Sequence, residues 1–202
     1  MNSQTRIFFK DYAFDVFENV YIPAEDSFLL AQNLSIKEGD LVLDMGTGCG
    51  LLAVLAAEKA RKVVAVDANP HAQRCAVHNA SLNGVAGKIE VRHGSLFETV
   101  KADERFDVIL FNAPYLPSEK WEEHDLASSA WAGGESGRRV IDRFIVEAPK
   151  HLIADGRILL VQSTLSDVKQ SLWMFAEEGF DAKVVAENKV SFETIVVIEA
   201  RC

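Results

Sequence analysis

Several segments of this chain are continuously apolar instead of alternating between apolar and polar residues. The clearest are LVLD (41–44), VVAVD (63–67), FDVILF (106–111) and RILLVQ (157–162). Strands of this kind are buried on both faces. Segments with helical periodicity, such as 51–60 and 70–82, lie between them. The alternation predicts an α/β fold in which helices cover both faces of a mostly parallel sheet.

The end of the chain departs from this alternation. Strands AKVVAE (182–187) and ETIVVIEA (193–200) are separated by too few residues for a crossover helix, so we predict an antiparallel pair. Since no linker or repeat is visible, we predict one domain over residues 1–202, with 1–19 as an N-terminal extension. A seven-stranded sheet of this kind resembles the class I methyltransferase fold, a Rossmann-like three-layer sandwich whose family strand order is 3-2-1-4-5-7-6.

The composition narrows the range of functions. The net charge is −9, from 21 basic and 30 acidic residues, which argues mildly against unaided binding of nucleic acid. No apolar run approaches the ~20 residues of a membrane span, and the N-terminus lacks the apolar core of a signal peptide. We therefore expect a cytoplasmic protein. Cysteines at 49, 75 and 202 are too few and too widely spaced for a disulfide framework.

A glycine-rich turn follows the first apolar strand, in LVLDMGTGCGLLAVLA. Gly46, Gly48 and Gly50 let the backbone turn sharply and approach a ligand closely. The spacing G-x-G-x-G differs from the dinucleotide fingerprint G-x-G-x-x-G and resembles the S-adenosylmethionine loop of class I methyltransferases. Asp44 would hold the turn or reach the amino group of the cofactor. The alternative is a tight turn with no ligand.

Two further strand ends carry candidate cofactor ligands. Asp67 ends the second strand, and a carboxylate there can accept both hydroxyls of a ribose. Since Asn69-Pro70 already supplies an N-cap and a first-turn proline, Asp67 is available for this role. Ser95-Leu96 follows the third strand, where methyltransferases of this kind usually have Asp-Leu with the acid on the adenine amino group. Serine can still form a hydrogen bond there, but a weaker one.

The sequence FNAPY (111–115) follows the fourth strand. A planar amino nitrogen is a poor nucleophile, and two acceptors on its hydrogens would turn its lone pair toward a methyl donor. Asn112 offers a carboxamide oxygen, and a backbone carbonyl near Ala113–Pro114 could be the second acceptor. Pro114 stiffens the turn, and Tyr115 offers a flat face to a planar group. These three residues, Asn112, Pro114 and Tyr115, are our catalytic candidates; an ordinary strand–helix turn is the alternative.

This motif resembles the (Asn/Asp)-Pro-Pro-(Tyr/Phe) motif of methyltransferases that act on planar amino groups. Together with VYIPAEDSFLL (20–30) and AWAGGESGRRVIDRF (130–144), it resembles the HemK-type N5-glutamine methyltransferases of class I translation release factors. The similarity is to the short archaeal and eukaryotic branch, which lacks the N-terminal helical domain of the bacterial enzymes. It departs from the pattern in having Ile22 for Glu, Ser95 for Asp and Ala113 for Pro. The resemblance implies S-adenosyl-L-methionine as cofactor, S-adenosyl-L-homocysteine as product, and cofactor contacts at Ser27, Asp44, Gly46, Asp67, Ser95, Leu96 and Asn112.

The resemblance also implies partners. The substrate would be a class I release factor, and relatives in this branch bind a small zinc-containing activator protein through the edge of the sheet. The third strand, 89–93, should be that edge, since exposed edges invite strand addition. Two other functions remain open: methylation of an amino group on an RNA or DNA base, and a scaffold that binds the cofactor with little activity.

Other residues have more than one interpretation. His71, Cys75 and His78 share one helical face, but no fourth ligand is evident, so we predict no metal site. Cys49, at a helix N-terminus, should have a lowered thiol pKa, although its simpler role is to line the cofactor turn. Glu25-Asp26-Ser27 would either complement the helix dipole or close over the cofactor.

The long loop predicted at 113–136 offers further candidates. Trp131 lies in it and would either fill the core or serve the site. Gly133-Gly134 would let a peptide backbone approach. Arg138 and Arg139 follow it at the start of a helix and would face an acidic substrate or pair with Glu135.

Overall fold

The structure, a computed structural model, describes residues 5–118 and 131–202. In this part of the chain the strands are β1 (Thr5–Phe9), β2 (Tyr12–Val16), β3 (Leu41–Met45), β4 (Lys62–Asp67), β5 (Ile89–His93), β6 (Phe106–Asn112), β7 (Leu152–Ser163), β8 (Asp181–Lys189) and β9 (Thr194–Arg201). The α-helices are α1 (Glu25–Gln32), α2 (Leu51–Ala56), α3 (Pro70–Leu82), α4 (Arg139–Glu147) and α5 (Val168–Glu177).

Strands β3 to β9 form one sheet in the order β5-β4-β3-β6-β7-β9-β8 within the described residues. β5, β4, β3, β6 and β7 are parallel, and β9 runs antiparallel to both β7 and β8. Numbered from the first strand of this sheet, the order is 3-2-1-4-5-7-6. The predicted topology, the antiparallel C-terminal pair and the edge position of the third strand are confirmed.

The central strands are buried on both faces, as their apolar sequences require. Val42, Val63, Val108 and Ile109 have no solvent exposure. In one group of helices, α1 contacts α2 and α2 contacts α3. In the other, α4 packs against α5. Edge strand β8 instead consists of exposed and half-buried residues only. The core therefore places the carboxyl ends of β3 to β6 side by side.

Some predicted helices end earlier than expected. The segment 51–60 is α-helical only over α2, Leu51–Ala56. The segment 138–152 is α-helical over Arg139–Glu147, continues as a 3₁₀ turn at Ala148–His151, and becomes strand β7 at Leu152. Pro149 explains the change, since proline lacks the N–H that an α-helix needs. Residues 119–130 of the predicted long loop lie outside the described residues.

The predicted N-terminal extension contains a hairpin, β1–β2, that the sequence analysis did not include. It docks on α3 through two asparagines. Asn79 Oδ1 accepts the Asp15 N–H at 2.9 Å, and Asn79 Nδ2 donates to the Asp15 carbonyl at 2.9 Å. Asn83 pairs with Ala13 in the same way, at 3.2 and 2.9 Å. Phe14 is completely buried within the same hydrophobic core as the central strands, so the hairpin packs against the α/β sheet and its helices.

The described helices include none with the length and apolar character that crossing a membrane requires.

Candidate functional site

A cavity of about 200 Å³ opens at the carboxyl ends of the parallel strands, next to the glycine turn. Ligands of open α/β sheets bind at this edge. Of the sequence-predicted residues, Gly46, Gly48, Asp67, Ser95, Leu96, Asn112 and Pro114 line it. Ser27, Asp44, Gly50 and Tyr115 do not, and each of these four has another position in the site.

A buried hydrogen bond stabilises the glycine turn. Thr47 Oγ1 donates to Asp44 Oδ2 at 2.6 Å, and Asp44 is completely buried. Burial raises the pKa of Asp44 to about 7, although the Thr47 hydrogen bond opposes the shift. The geometry therefore agrees with the turn-holding role of Asp44 and not with direct access to the cavity.

The glycines of the turn have different surroundings. At Gly48, φ is +57°, and a Cβ would meet nothing within 4 Å, so the backbone is open to a ligand. At Gly50, φ is +87°, and a Cβ would come within 3.1 Å of Ala76 Cα. Both positions disfavour a side chain, but Gly50 is required for packing between α2 and α3, whereas Gly48 faces the cavity.

Asp67 extends from the end of β4 into the cavity wall. Its Oδ2 accepts the N–H of Gly48 and its Oδ1 accepts the N–H of Asn69, both at 2.8 Å. The prediction that the start of α3 leaves Asp67 unengaged was therefore wrong in part, although Asn69 caps α3 as predicted. Burial raises the pKa of Asp67, and these two N–H groups oppose the shift. Each carboxylate oxygen retains acceptor capacity, so the group still suits the hydroxyls of a ribose.

Ser95 and Leu96 form the part of the cavity beyond β5. The Ser95 N–H donates to Glu98 Oε2 at 3.1 Å, within a capping box that begins a short 3₁₀ helix. Leu96 has φ of +48°, which is costly for a residue with a side chain. The strained backbone brings its apolar side chain to the cavity wall, where a planar ring could pack.

Asn112 is the last residue of β6, and within the described residues only the nitrogen of its carboxamide has hydrogen-bond partners. Its Nδ2 donates to Asp26 Oδ2 and to Ser27 Oγ, each at 3.1 Å. A carboxylate can only accept, so the amide nitrogen must face Asp26 and the carbonyl oxygen must point away. That oxygen, Asn112 Oδ1, is buried and has no hydrogen-bond partner within the described residues. An unpaired buried acceptor is unfavourable unless a ligand supplies the donor.

A second cavity lies beside Asn112. It is lined by Tyr21, Asp26, Ala113, Tyr115, Leu116 and Trp131. The Tyr21 hydroxyl donates to both oxygens of Asp26 at 3.1 Å, and the Tyr115 hydroxyl donates to Asp26 Oδ2 at 3.4 Å. Trp131 is partly exposed and therefore does not fill the core. Tyr115 thus belongs to this acceptor cavity, as we call it below.

Asp26 is the residue of the candidate site whose contacts the sequence analysis did not predict. Its carboxylate joins Tyr21, Ser27, Asn112 and Tyr115, whereas the sequence indicated only that Glu25-Asp26-Ser27 would complement the helix dipole or close over the cofactor. The available signal was the run Tyr21-Ile-Pro-Ala-Glu-Asp26-Ser27, but its contact with Asn112 spans 86 positions. No local pattern shows such a contact.

Three further expectations are corrected by the structure. Burial raises the pKa of the Cys49 thiol to about 12, where a lowered value was expected. Arg138 is buried and donates to the carbonyls of Ser166 and Asp167 and to Asp142, so it faces neither a substrate nor Glu135. Gly133 allows the loop's own backbone to pack, because a Cβ there would lie 2.6 Å from the Gly137 carbonyl oxygen.

Two of the three candidate metal ligands, Cys75 and His78, contact the hairpin. His78 Nε2 lies 2.8 Å from Asp15 Oδ2, and the Cys75 thiol donates to the Asp15 carbonyl at 3.1 Å. Over residues 5–118 and 131–202, no group of three His, Cys, Asp or Glu side chains could hold a metal ion.

Comparison with known proteins identifies the family of this chain. The sequence pattern of the Methyltransferase small domain matches residues 24–194. A Methanocaldococcus jannaschii protein that carries the name protein N5-glutamine methyltransferase is 43% identical over 183 residues, covering 90% of this chain and 91% of its own length. Human Methyltransferase HEMK2 is 28% identical, covering 91% of this chain and 90% of its own length.

A solved structure shows the same fold. The E. cuniculi Mtq2–Trm112 complex, described as responsible for methylation of the eRF1 translation termination factor, matches with a TM-score of 0.67 and 24% identity. The match covers 91% of this chain and 98% of that chain. The chain therefore belongs to the Methyltransferase small domain family and, within it, to the HemK-type methyltransferases.

Proposed function

We propose that this protein methylates the side-chain amide nitrogen (N5) of a glutamine in a class I translation release factor. The observation that carries the proposal is the buried, unpaired Oδ1 of Asn112 between the two cavities. Relatives named N5-glutamine methyltransferase and release factor glutamine methyltransferase support the choice of acceptor.

The cavity at the glycine turn suits S-adenosyl-L-methionine. Gly48 leaves the backbone open, Asp67 offers acceptors for ribose hydroxyls, and Leu96 offers an apolar surface for adenine. When bound, this cofactor supplies an electrophilic methyl group on a sulfonium, and S-adenosyl-L-homocysteine is its product. Ser95 would bind more weakly than the usual aspartate, because a hydrogen bond between neutral groups contributes about 1 kcal/mol against ~1.5–3 kcal/mol with a charged partner.

Asn112 directs the acceptor nitrogen. Its Oδ1 would accept one hydrogen of the glutamine amide, and a backbone carbonyl near Ala113–Pro114 would accept the other. This geometry turns the nitrogen lone pair toward the methyl carbon. Transfer of the methyl group would leave S-adenosyl-L-homocysteine, and the methylated nitrogen would lose its extra proton to water, so no strong base is required. Positioning alone can contribute up to ~7–11 kcal/mol.

A small activator protein is the partner that best fits the exposed edge strand β5. The E. cuniculi relative is described as a complex with Trm112, which supports such a partner for this chain. Zinc in that partner remains our expectation from the family resemblance.

The test is transfer of a labelled methyl group to three acceptors: the release factor encoded in the same genome, tRNA and duplex DNA. We expect label in the release factor, located by mass spectrometry at one glutamine. Asn112→Ala should reduce transfer about a hundredfold or more with little change in the Kd for the donor, while Asn188→Ala on β8 serves as the carboxamide control.

Label in tRNA or DNA alone would replace the acceptor in this proposal with a nucleic-acid base. If wild type bound the donor but labelled none of the three acceptors, the scaffold alternative would stand. Turnover retained by Asn112→Ala would refute the role of that residue.

A further inference from the structure

The turn between β8 and β9, residues 190–193, lies at the same edge of the sheet as the acceptor cavity. Asn112 of β6 pairs with Val161 of β7, which pairs with Val197 of β9. Two strand spacings of about 4.8 Å separate β6 from β9. Since β9 runs antiparallel to β7, the turn that precedes it projects from the carboxyl edge of the parallel strands, beside the site.

The turn presents an exposed aromatic side chain on a fixed backbone. The Val190 N–H donates to the Glu193 carbonyl at 3.0 Å, and the Thr194 N–H donates to Thr164 Oγ1 at 3.0 Å. Phe192 is 94% exposed, more than any other large hydrophobic residue in the described ranges. An exposed aromatic on a preorganised turn loses little conformational entropy when a partner covers it.

The 3₁₀ turn at Thr164–Ser166 links residues 190–193 to the acceptor cavity, because Thr164 accepts the Thr194 N–H and Ser166 lies against Gly137, which packs on the Tyr115 carbonyl. Burial raises the pKa of Tyr21 and Tyr115 most, and the carboxylates of Asp26 and, more weakly, Glu193 act in the same direction. Glu193 Oε2 is itself buried and has no hydrogen-bond partner within the described residues. Like Asn112 Oδ1, it is an unpaired acceptor at this edge, and its natural complement is an N–H donor from outside.

The size of the acceptor cavity determines what must contact the turn. Six of the described residues line it, against seventeen around the cavity at the glycine turn, so its contact surface suits one side chain and not a folded segment. The acceptor polypeptide on either side of the methylated residue must therefore cross the rim. Phe192 and Glu193 project from this edge of the sheet on the β9 side.

We propose that residues 190–193 are a docking element for the acceptor polypeptide next to the methylated glutamine, an inference that rests on the proposed function. Phe192 packs on an apolar side chain of that polypeptide, and the Glu193 carboxylate accepts a hydrogen bond from one of its N–H groups. The two residues determine which proteins are accepted, while Asn112 determines where the methyl group goes.

The experiment is steady-state methyl transfer to the full-length release factor by wild type, Phe192→Ala and Glu193→Gln. Both variants should raise KM about tenfold with kcat unchanged, the signature of lost binding that is equal in ground and transition states. Calorimetry should give the wild-type Kd for the donor, which shows that the fold is intact. Trp173→Ala on α5, 61% exposed, and Glu187→Gln on β8 are matched controls that should leave KM unchanged.

Wild-type transfer with unchanged KM in both variants would overturn this inference alone. A fall in kcat at constant KM would also overturn it, because docking would not be the step affected. No transfer to the release factor by wild type would contradict the proposed function and the docking role together.

Discussion

At the scale of single residues, the site depends on one carboxylate fixing the direction of one carboxamide. An asparagine side chain can be turned over to exchange its oxygen and nitrogen, and most surroundings tolerate both orientations. Asp26 does not, because it can only accept, and it lies 3.1 Å from Asn112 Nδ2. The unpaired Oδ1 of Asn112 is therefore a consequence of Asp26.

Replacing Asp26 tests this dependence. In Asp26→Asn the new side chain can donate or accept, so Asn112 is no longer held in one orientation. We expect kcat to fall by up to about a hundredfold, with the donor Kd close to that of wild type. Single-turnover kinetics and calorimetry measure the two quantities.

The exposed neighbour Glu25 provides the control for this change. Glu25→Gln alters the charge of the same helical turn without contacting Asn112 and should retain full activity. If both variants lost activity equally, the effect would come from the charge of the helix terminus and not from the orientation of Asn112.

Asp44 makes the stability of the protein depend on pH, and substitution of this residue can isolate its contribution. Its folded pKa, about 7, lies above its ordinary value of 3.8. Between these values the unfolded chain releases the proton and the folded chain keeps it, so Asp44 lowers the free energy of unfolding as pH rises from about 4 to 7. The loss is up to about 4 kcal/mol, at about 1.4 kcal/mol per pKa unit.

Asp44→Asn removes this contribution. Urea unfolding at pH 4.5, 6 and 7.5 should show the variant gaining stability relative to wild type as pH rises. Asp103→Asn, at an exposed position, should follow the wild-type curve. A constant difference between Asp44→Asn and wild type across this range would contradict the raised pKa.

At the scale of elements, the sequence was most informative about secondary structure in segments whose residues are nearly all buried. VVAVD and FDVILF predict strands that are covered on both faces, and the sheet order follows from how such strands connect. The glycine turn, Asp67 and FNAPY were predictable as a site because the ends of neighbouring parallel strands must meet. The role of Asp26 and the orientation of Asn112 were not predictable, because they depend on contacts between distant parts of the chain.

The β1–β2 hairpin shows a different limit of sequence analysis. Its two-residue turn is Lys10-Asp11, and Lys10 has φ of +51°, whereas tight hairpins usually carry Asn-Gly at such positions. Its docking partner is also unusual. Asn79 and Asn83, one helical turn apart, pair with alternate residues of β2 as a neighbouring strand would. Neither this turn nor the docking through asparagines has a sequence pattern from which the hairpin could be predicted.

At the scale of the whole molecule, the two edges of the sheet differ in how accessible they are to another strand. β8 has a register irregularity between Val184 and Ala186, and such bulges hinder strand addition. β5 pairs with β4 without interruption over five residues. The regular edge is therefore the one suited to a partner that adds a strand, as we propose for the activator protein.

The backbone of β5 indicates where to block that addition. The carbonyl of Lys88 accepts from Val63, and the N–H of Gly94 donates to Asp67, so these residues face β4. Since the direction alternates along a strand, Ile89, Val91 and His93 present their N–H groups outward. Val91→Pro removes one outward donor and leaves the hydrogen bonds between β4 and β5 in place.

We expect Val91→Pro to bind an activator protein of the Trm112 kind at least about tenfold more weakly than wild type, because one strand hydrogen bond is lost and the ring obstructs its neighbours. Val91→Thr keeps the N–H and a similar shape, and it should bind normally. Calorimetry with the purified activator measures the three affinities, and the donor Kd confirms that each variant is folded. Equal affinity for Val91→Pro and wild type would mean that the partner does not add a strand at β5, and the interface would then have to lie on another face of the sheet.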